Sequence, residues 1–111
     1  MRFIETLTFT RQIVVLLPDD LYRLLQVELA VNPHSGEIIP GGGGIRKYRF
    51  ARPGMGKRGG GRLIYYWQNE AGIIFMLLAY AKGQQENLAN DQLAELRALA
   101  KELNDEARNI R

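Results

Sequence analysis

Four cations stand at spacings that could bring them onto one surface. They are Lys47 and Arg49 in "GIRKYRFAR", Arg62 near the start of "GRLIYYWQN", and Lys82 at the end of "GIIFMLLAYAK". Each of these segments reads as a strand rich in aromatic and aliphatic residues. Side chains two apart on a strand project from the same face, so Lys47 and Arg49 form a pair. Arg62, early on the second strand, and Lys82, ending the third, can approach that face. Cations fixed in this way stabilise charge developing on oxygen atoms, most strongly where water is partly excluded. The competing reading is a solvated face with scattered charges, the usual situation of Lys and Arg.

The distribution of charge favours a polyanionic partner. The net charge of +3 hides a middle segment, residues 41–82, with eight Lys or Arg against the single Glu70, a net of +7. Residues 1–40 and 83–111 each carry a net of −2. A basic middle between mildly acidic ends points to nucleic acid, the commonest polyanion.

A chain of 111 residues fits one domain, 1–111, with enough apolar content to close a core. The absence of cysteine excludes a disulfide framework and a thiolate metal site, and a single histidine, His34, excludes a His-rich cluster. No metal or cofactor is therefore expected. The opening "MRFIETLTFT" lacks the apolar region of a signal peptide, and runs such as "IIFMLLAYA" fall short of a membrane span. A soluble, cytoplasmic protein with no membrane partner is the expectation.

The elements that must position the cations follow from pattern. "RFIETLTF" alternates and reads as a first strand. "TRQIVVLLP" fits either a strand, by its β-branched run, or a short helix ended by Pro18. "DDLYRLLQVELAV" reads as a helix capped by Asp19, with Leu21, Leu24, Leu25 and Leu29 on one face and Asn32-Pro33 as its stop. "HSGEIIPGGGG" reads as a loop, "PGMGKRGGG" as a flexible connection, and "NEAG" as a tight hairpin turn. A last helix follows "KGQQENLAN", with Asn90 as its cap and Leu93, Leu96, Leu99, Leu103 and Ile110 as its stripe. The order β-α-α-β-β-β-α defines an α+β domain with a mainly antiparallel sheet.

Gly54, Gly56 and Gly59 spell G-x-G-x-x-G. A dinucleotide fingerprint requires a helix after these glycines, to receive the pyrophosphate at its N-terminus, whereas here a strand follows. A Walker A loop fails as well, because Arg58 stands where a Ser or Thr would hold magnesium and Ala51 where the first glycine belongs.

The stretch "GGGIRKYRFARPGMGKRGGGRLIYYW" resembles the RelE superfamily of toxins, most closely its HigB branch, and the similarity extends over most of the chain. Shared features are a Leu/Ile-Arg-Lys-x-Arg strand, a Gly-Lys-Arg-Gly-Gly connection and an Arg-x-Ile-Tyr-Tyr strand. The resemblance implies a compact α+β fold and the toxin of a type II toxin–antitoxin pair, an enzyme that cuts messenger RNA in the ribosomal decoding site. It implies as partners an antitoxin, the translating ribosome and mRNA, with DNA reached only indirectly through an antitoxin complex. The chain departs from the family at Lys82-Gly83-Gln84-Gln85-Glu86-Asn87, where relatives commonly carry Lys-Asn and acidic residues. The family's tyrosine near the C-terminus has no counterpart after Tyr80.

Metal-independent RNA cleavage uses the 2′-hydroxyl as nucleophile. It needs that proton removed, the phosphorane oxygens stabilised and the leaving 5′-oxygen protonated. By motif, Lys47, Arg49, Arg62 and Lys82 inherit candidate catalytic roles. The planar forks of Arg62 and Arg49 suit phosphate oxygens. Lys47, among cations that disfavour its protonated form, is a candidate base. Tyr66 and Tyr80 are alternatives for proton transfer, and Arg46, Lys57 and Arg58 are candidates for gripping RNA. Tyr65 and Tyr66 differ in face, one core and one accessible, and Trp67, sharing the face of Tyr65, reads as packing. His34 in "NPHSGE" lacks a nearby partner in sequence and is the weaker candidate for a base.

Overall fold

A computed structural model describes residues 1–85 and 87–110, with the side chains of Lys57, Arg58 and Ile110 outside the description. The chain runs β1 (Arg2–Glu5), α1 (Leu7–Leu16), α2 (Asp19–Val31), β2 (Glu37–Ile38), β3 (Ile45–Arg52), α3 (Gly56–Gly59), β4 (Gly60–Gln68), β5 (Ile73–Ala81) and α4 (Asn90–Ile110). The strands form one sheet ordered β1-β5-β4-β3-β2. Every neighbouring pair is antiparallel except β1 with β5. The α+β class and the mainly antiparallel sheet agree with the sequence expectation; β2 and the single turn α3 are additions within segments expected to be loops.

The first strand is shorter than its alternation implied. Thr6 stops it by capping α1, its Oγ1 accepting the Phe9 N–H at 3.0 Å. "TRQIVVLLP" resolves accordingly as helix. On α2 the cap is Pro18 rather than Asp19, which joins Asp20 in the first turn, where acidic groups complement the helix dipole. The buried face of α2 is Tyr22, Leu25 and Leu29, and Leu24, expected in the core, is 61% exposed. Burial follows the i, i+3, i+7 row from Tyr22, and Leu24 lies off it. At α4 the Leu93 N–H reaches the Ala89 carbonyl at 2.9 Å, and Gln92 Oε1 accepts the Ala89 N–H at 2.9 Å. The cap is thus Ala89, one residue before the expected Asn90, with Gln92 completing half of a capping box.

The sheet is covered on both faces. On one, α1 and α2 bury Phe9, Ile13 and Leu29 against Phe50, Leu63, Tyr65 and Met76. On the other, α4 lays Leu96, Leu99, Ala100 and Leu103 against Ile45, Ile64, Phe75 and Leu77. Among the described residues no helix is long and apolar enough to cross a membrane.

One irregularity decides which residues share the α4 face. Ile64 pairs with Leu78, but Tyr65 pairs with Met76, so Leu77 is the extra residue of a β-bulge. Ile74 and Met76 face α1 and α2, whereas Tyr80, an even number of residues further on, faces α4. Thr6 and Gln12 satisfy the backbone there: Thr6 Oγ1 donates to the Leu77 carbonyl and Gln12 Oε1 accepts the Ala79 N–H, each at 2.9 Å.

Candidate nucleic-acid interface

The β3–β4–β5 register builds the cationic row. Arg49 pairs with Arg62 and Arg62 with Tyr80 in adjacent ladders, so the three side chains stand side by side on the α4 face. Lys47 lies two residues from Arg49 on that face. Lys82 follows Tyr80 just past the strand end, its N–H still laddered to the Gly60 carbonyl at 3.1 Å. Two glycines make the corner beside Arg62 possible. A Cβ on Gly60 would run into the Phe50 carbonyl oxygen, and one on Gly61 into the Phe50 ring.

Depth separates the members of the row. Arg62 forms its floor, 2% exposed, with Nη1 donating to the Gly61 carbonyl at 3.0 Å. Tyr80 is buried beside it. Arg49 is exposed, and Lys47 and Lys82 are half-buried. A buried guanidinium next to exposed cations attracts anions, since each anion reaching the rim also feels the charge beneath.

Other candidates fall elsewhere. Tyr66 pairs with Ile45, four residues along β4 from Arg62, or about 13 Å at strand rise. It stacks on Phe75 beneath the far part of α4, and burial, reinforced by Asp105, raises its pKa above the ordinary phenol value. Tyr65 is the core member of the tyrosine pair, its hydroxyl donating to the Pro33 carbonyl at 2.6 Å and accepting the Gly36 N–H at 2.9 Å. Arg46 lies on the opposite face from Lys47. Its Nη1 donates to the Gly36 carbonyl at 2.8 Å, and its Nη2 meets His34 Nδ1 at 3.0 Å. His34 in turn stands edge-on to Trp67. The side chains of Lys57 and Arg58 lie outside the described residues.

Two polar groups at the row escaped sequence reasoning. Glu37 on β2 pairs directly with Lys47, so its carboxylate shares the lysine's face. Asn87 reaches Lys47 from beyond β5, with Nζ to Oδ1 at 3.4 Å. A two-residue strand carries no readable alternation, and Asn87 sits in an aperiodic connection. Among the described residues no group of three or more His, Asp or Glu is placed to hold a metal ion.

The model of the RelE toxin of the RelE/RelB toxin–antitoxin system matches residues 29–109, from the end of α2 through nearly all of α4. The chain belongs to the RelE toxin family. The matched region contains every strand of the cationic row, whereas β1 and α1 precede it. As a RelE-family toxin the chain has an antitoxin as its expected counterpart.

Proposed function

We propose that this RelE-family chain, of the HigB branch, is a cytoplasmic, ribosome-dependent endoribonuclease that cuts mRNA by 2′-hydroxyl attack. The observation that carries this reading is the row Arg49–Arg62–Tyr80, flanked by Lys47 and Lys82 on one sheet face. Arg49 at the rim grips the scissile phosphate, and Arg62 supplies positive charge from the floor as the phosphorane forms. The Lys47 amine is the acceptor of the 2′-proton in this reading; the 2′-oxygen bonds to phosphorus, and the bond to the 5′-oxygen breaks. A proton from Lys82 or Tyr80 completes the 5′-hydroxyl, leaving a 2′,3′-cyclic phosphate on the other fragment. Lys57 and Arg58 are docking contacts in this reading, whereas Arg46, on the opposite face and bonded to Gly36 and His34, belongs to the fold.

Mapping RNA ends in a translating extract tests the reading. New ends bearing 5′-hydroxyls are expected with the protein and not without it. Growth should stop on expression and resume when the antitoxin is co-expressed. The enclosure of Arg62 favours a second reading, an RNA- or ribosome-binding module that does not cut. Ribosome binding without new ends would decide for that module.

A further inference from the structure

Described residues of the connection between β5 and α4, where the chain departs from the family pattern, are tied together by their own amides. Gln84 Oε1 accepts the Ala81 N–H at 2.9 Å. Gln85 Nε2 donates to the Asn87 carbonyl and to Gln92 Oε1, both at 3.1 Å. The same Gln92 oxygen accepts the Ala89 N–H at the start of α4. The Asn87 backbone is therefore tied to the first turn of α4, while its side chain crosses to Lys47 on β3. Asn87 is exposed and contributes nothing to either apolar cluster, so packing does not explain where it points.

The chemistry of the acceptor does. A flexible lysine stem needs an anchor to hold Nζ in one orientation. A carboxylate anchor would also stabilise the ammonium, which is adverse for a group that must act as a base. An amide oxygen accepts the hydrogen bond without adding charge. Among the described residues, the other polar side chains on the face of Lys47 are Glu37 on β2, Arg49 on β3, Arg62 and Tyr80 on β4 and β5, and Lys82 beyond.

We propose that Asn87, held by the Gln85–Gln92 bridge, is a positioning residue that orients the Lys47 amine toward bound RNA. The inference rests on the reading of Lys47 as the proton acceptor. The test compares Asn87→Leu, Asn87→Asp, Gln92→Leu and Lys47→Met in the full chain. One measurement is single-turnover mRNA cleavage on programmed ribosomes over a range of toxin concentrations. The other, made on the toxin alone, is the rate at which limiting acetic anhydride acetylates Lys47, read by mass spectrometry against the other lysines.

Asn87→Leu should lower the maximal cleavage rate about 10-fold while leaving the half-saturating concentration unchanged, as expected for a displaced reacting group. Gln92→Leu should do the same more weakly. Asn87→Asp should slow both cleavage and Lys47 acetylation several-fold, because the new carboxylate holds the ammonium. An acetylation rate indifferent to Asn87→Asp overturns the proposed contact, whatever the cleavage result. Wild-type cleavage by both Asn87 variants, with Lys47→Met inactive, overturns the positioning role and leaves the reading of Lys47 standing. Full cleavage by Lys47→Met overturns that reading instead.

Discussion

Arg46 and Arg49 lie three residues apart on one strand and have opposite surroundings. Arg46 faces α1 and α2 and spends its guanidinium on Gly36 and His34, fastening the turn after α2 to the sheet. Arg49 projects from the other face, exposed, beside the buried Arg62. The difference is one of strand alternation: even positions of β3 face α1 and α2, and odd ones face the α4 side, where Ile45 is core and Lys47 and Arg49 carry the charge. The phenols divide similarly. Tyr22 and Tyr48 on the α1 and α2 face donate to Glu5 and Glu28, while Tyr80 lies in the cationic row. The described cations of β3 thus fall into two populations, one fastening the fold on the α1 and α2 face and one displayed on the α4 face.

The largest expected effect sets the two arginine populations apart. Arg62→Ala and Arg49→Ala should each lower cleavage on translating ribosomes by about 10²–10³-fold, the loss typical of one preorganised donor. Arg62→Ala should also lower the melting temperature, since it empties a buried site, whereas Arg49→Ala should not. Equal cleavage by wild type and Arg49→Ala would break the contrast.

Next comes the corner that sets the row. Gly60→Ala should cost about 3 kcal/mol in urea unfolding, because the Phe50 carbonyl oxygen, fixed in the β3 backbone, cannot yield to the new Cβ. Unaltered unfolding would mean that β4 does not need this close approach.

Arg46→Ala sharpens the comparison from the other side. It should cost about 1.5 kcal/mol of stability through its lost charge-assisted hydrogen bonds. Cleavage by the folded protein should stay within a few-fold of wild type. A 100-fold loss of cleavage without loss of stability would move Arg46 into the functional population.

The smallest effect is one of pH. Burial, then the hydrogen bonds and charges of Glu5 and Glu28, raise the Tyr22 and Tyr48 pKa values well above the ordinary phenol range. The unfolded chain ionises these phenols from about pH 10 while the folded chain keeps them neutral. Their contribution is complete below that pH, and stability declines as pH rises beyond it. Urea unfolding at pH 9, 10 and 11 should show this decline, made shallower by Tyr48→Phe. An identical slope in the variant would show that Tyr48 does not contribute.

The strands of the site were legible because β3, β4 and β5 each carry a long hydrophobic pattern bounded by turn residues. The pairing of Lys47 with Arg49 needed only the two-residue period. Other features depended on groups distant in sequence. Leu24 looked like core because leucine on a helix usually is, yet the row that docks is set by Tyr22 reaching Glu5. The side taken by Arg46 follows from alternation, but its capture by Gly36 and His34 depends on how the turn after α2 returns to the sheet. Glu37 and Asn87 approach Lys47 from segments without periodicity, so nothing local announced them.

The bulge at Leu77 divides β5 into two stretches of opposite phase. Were the same residues to pair without the bulge, Leu77 would fall opposite Ile64, Tyr80 and Lys82 would turn toward α1 and α2, and Ala79 and Ala81 would stand among the arginines. The offset is held by Thr6 and Gln12, both outside the segment that matches the family model. The first dozen residues therefore act as a phase reference for a strand more than sixty positions away. A toxin with every cation intact but this reference lost would carry its charges in the wrong order.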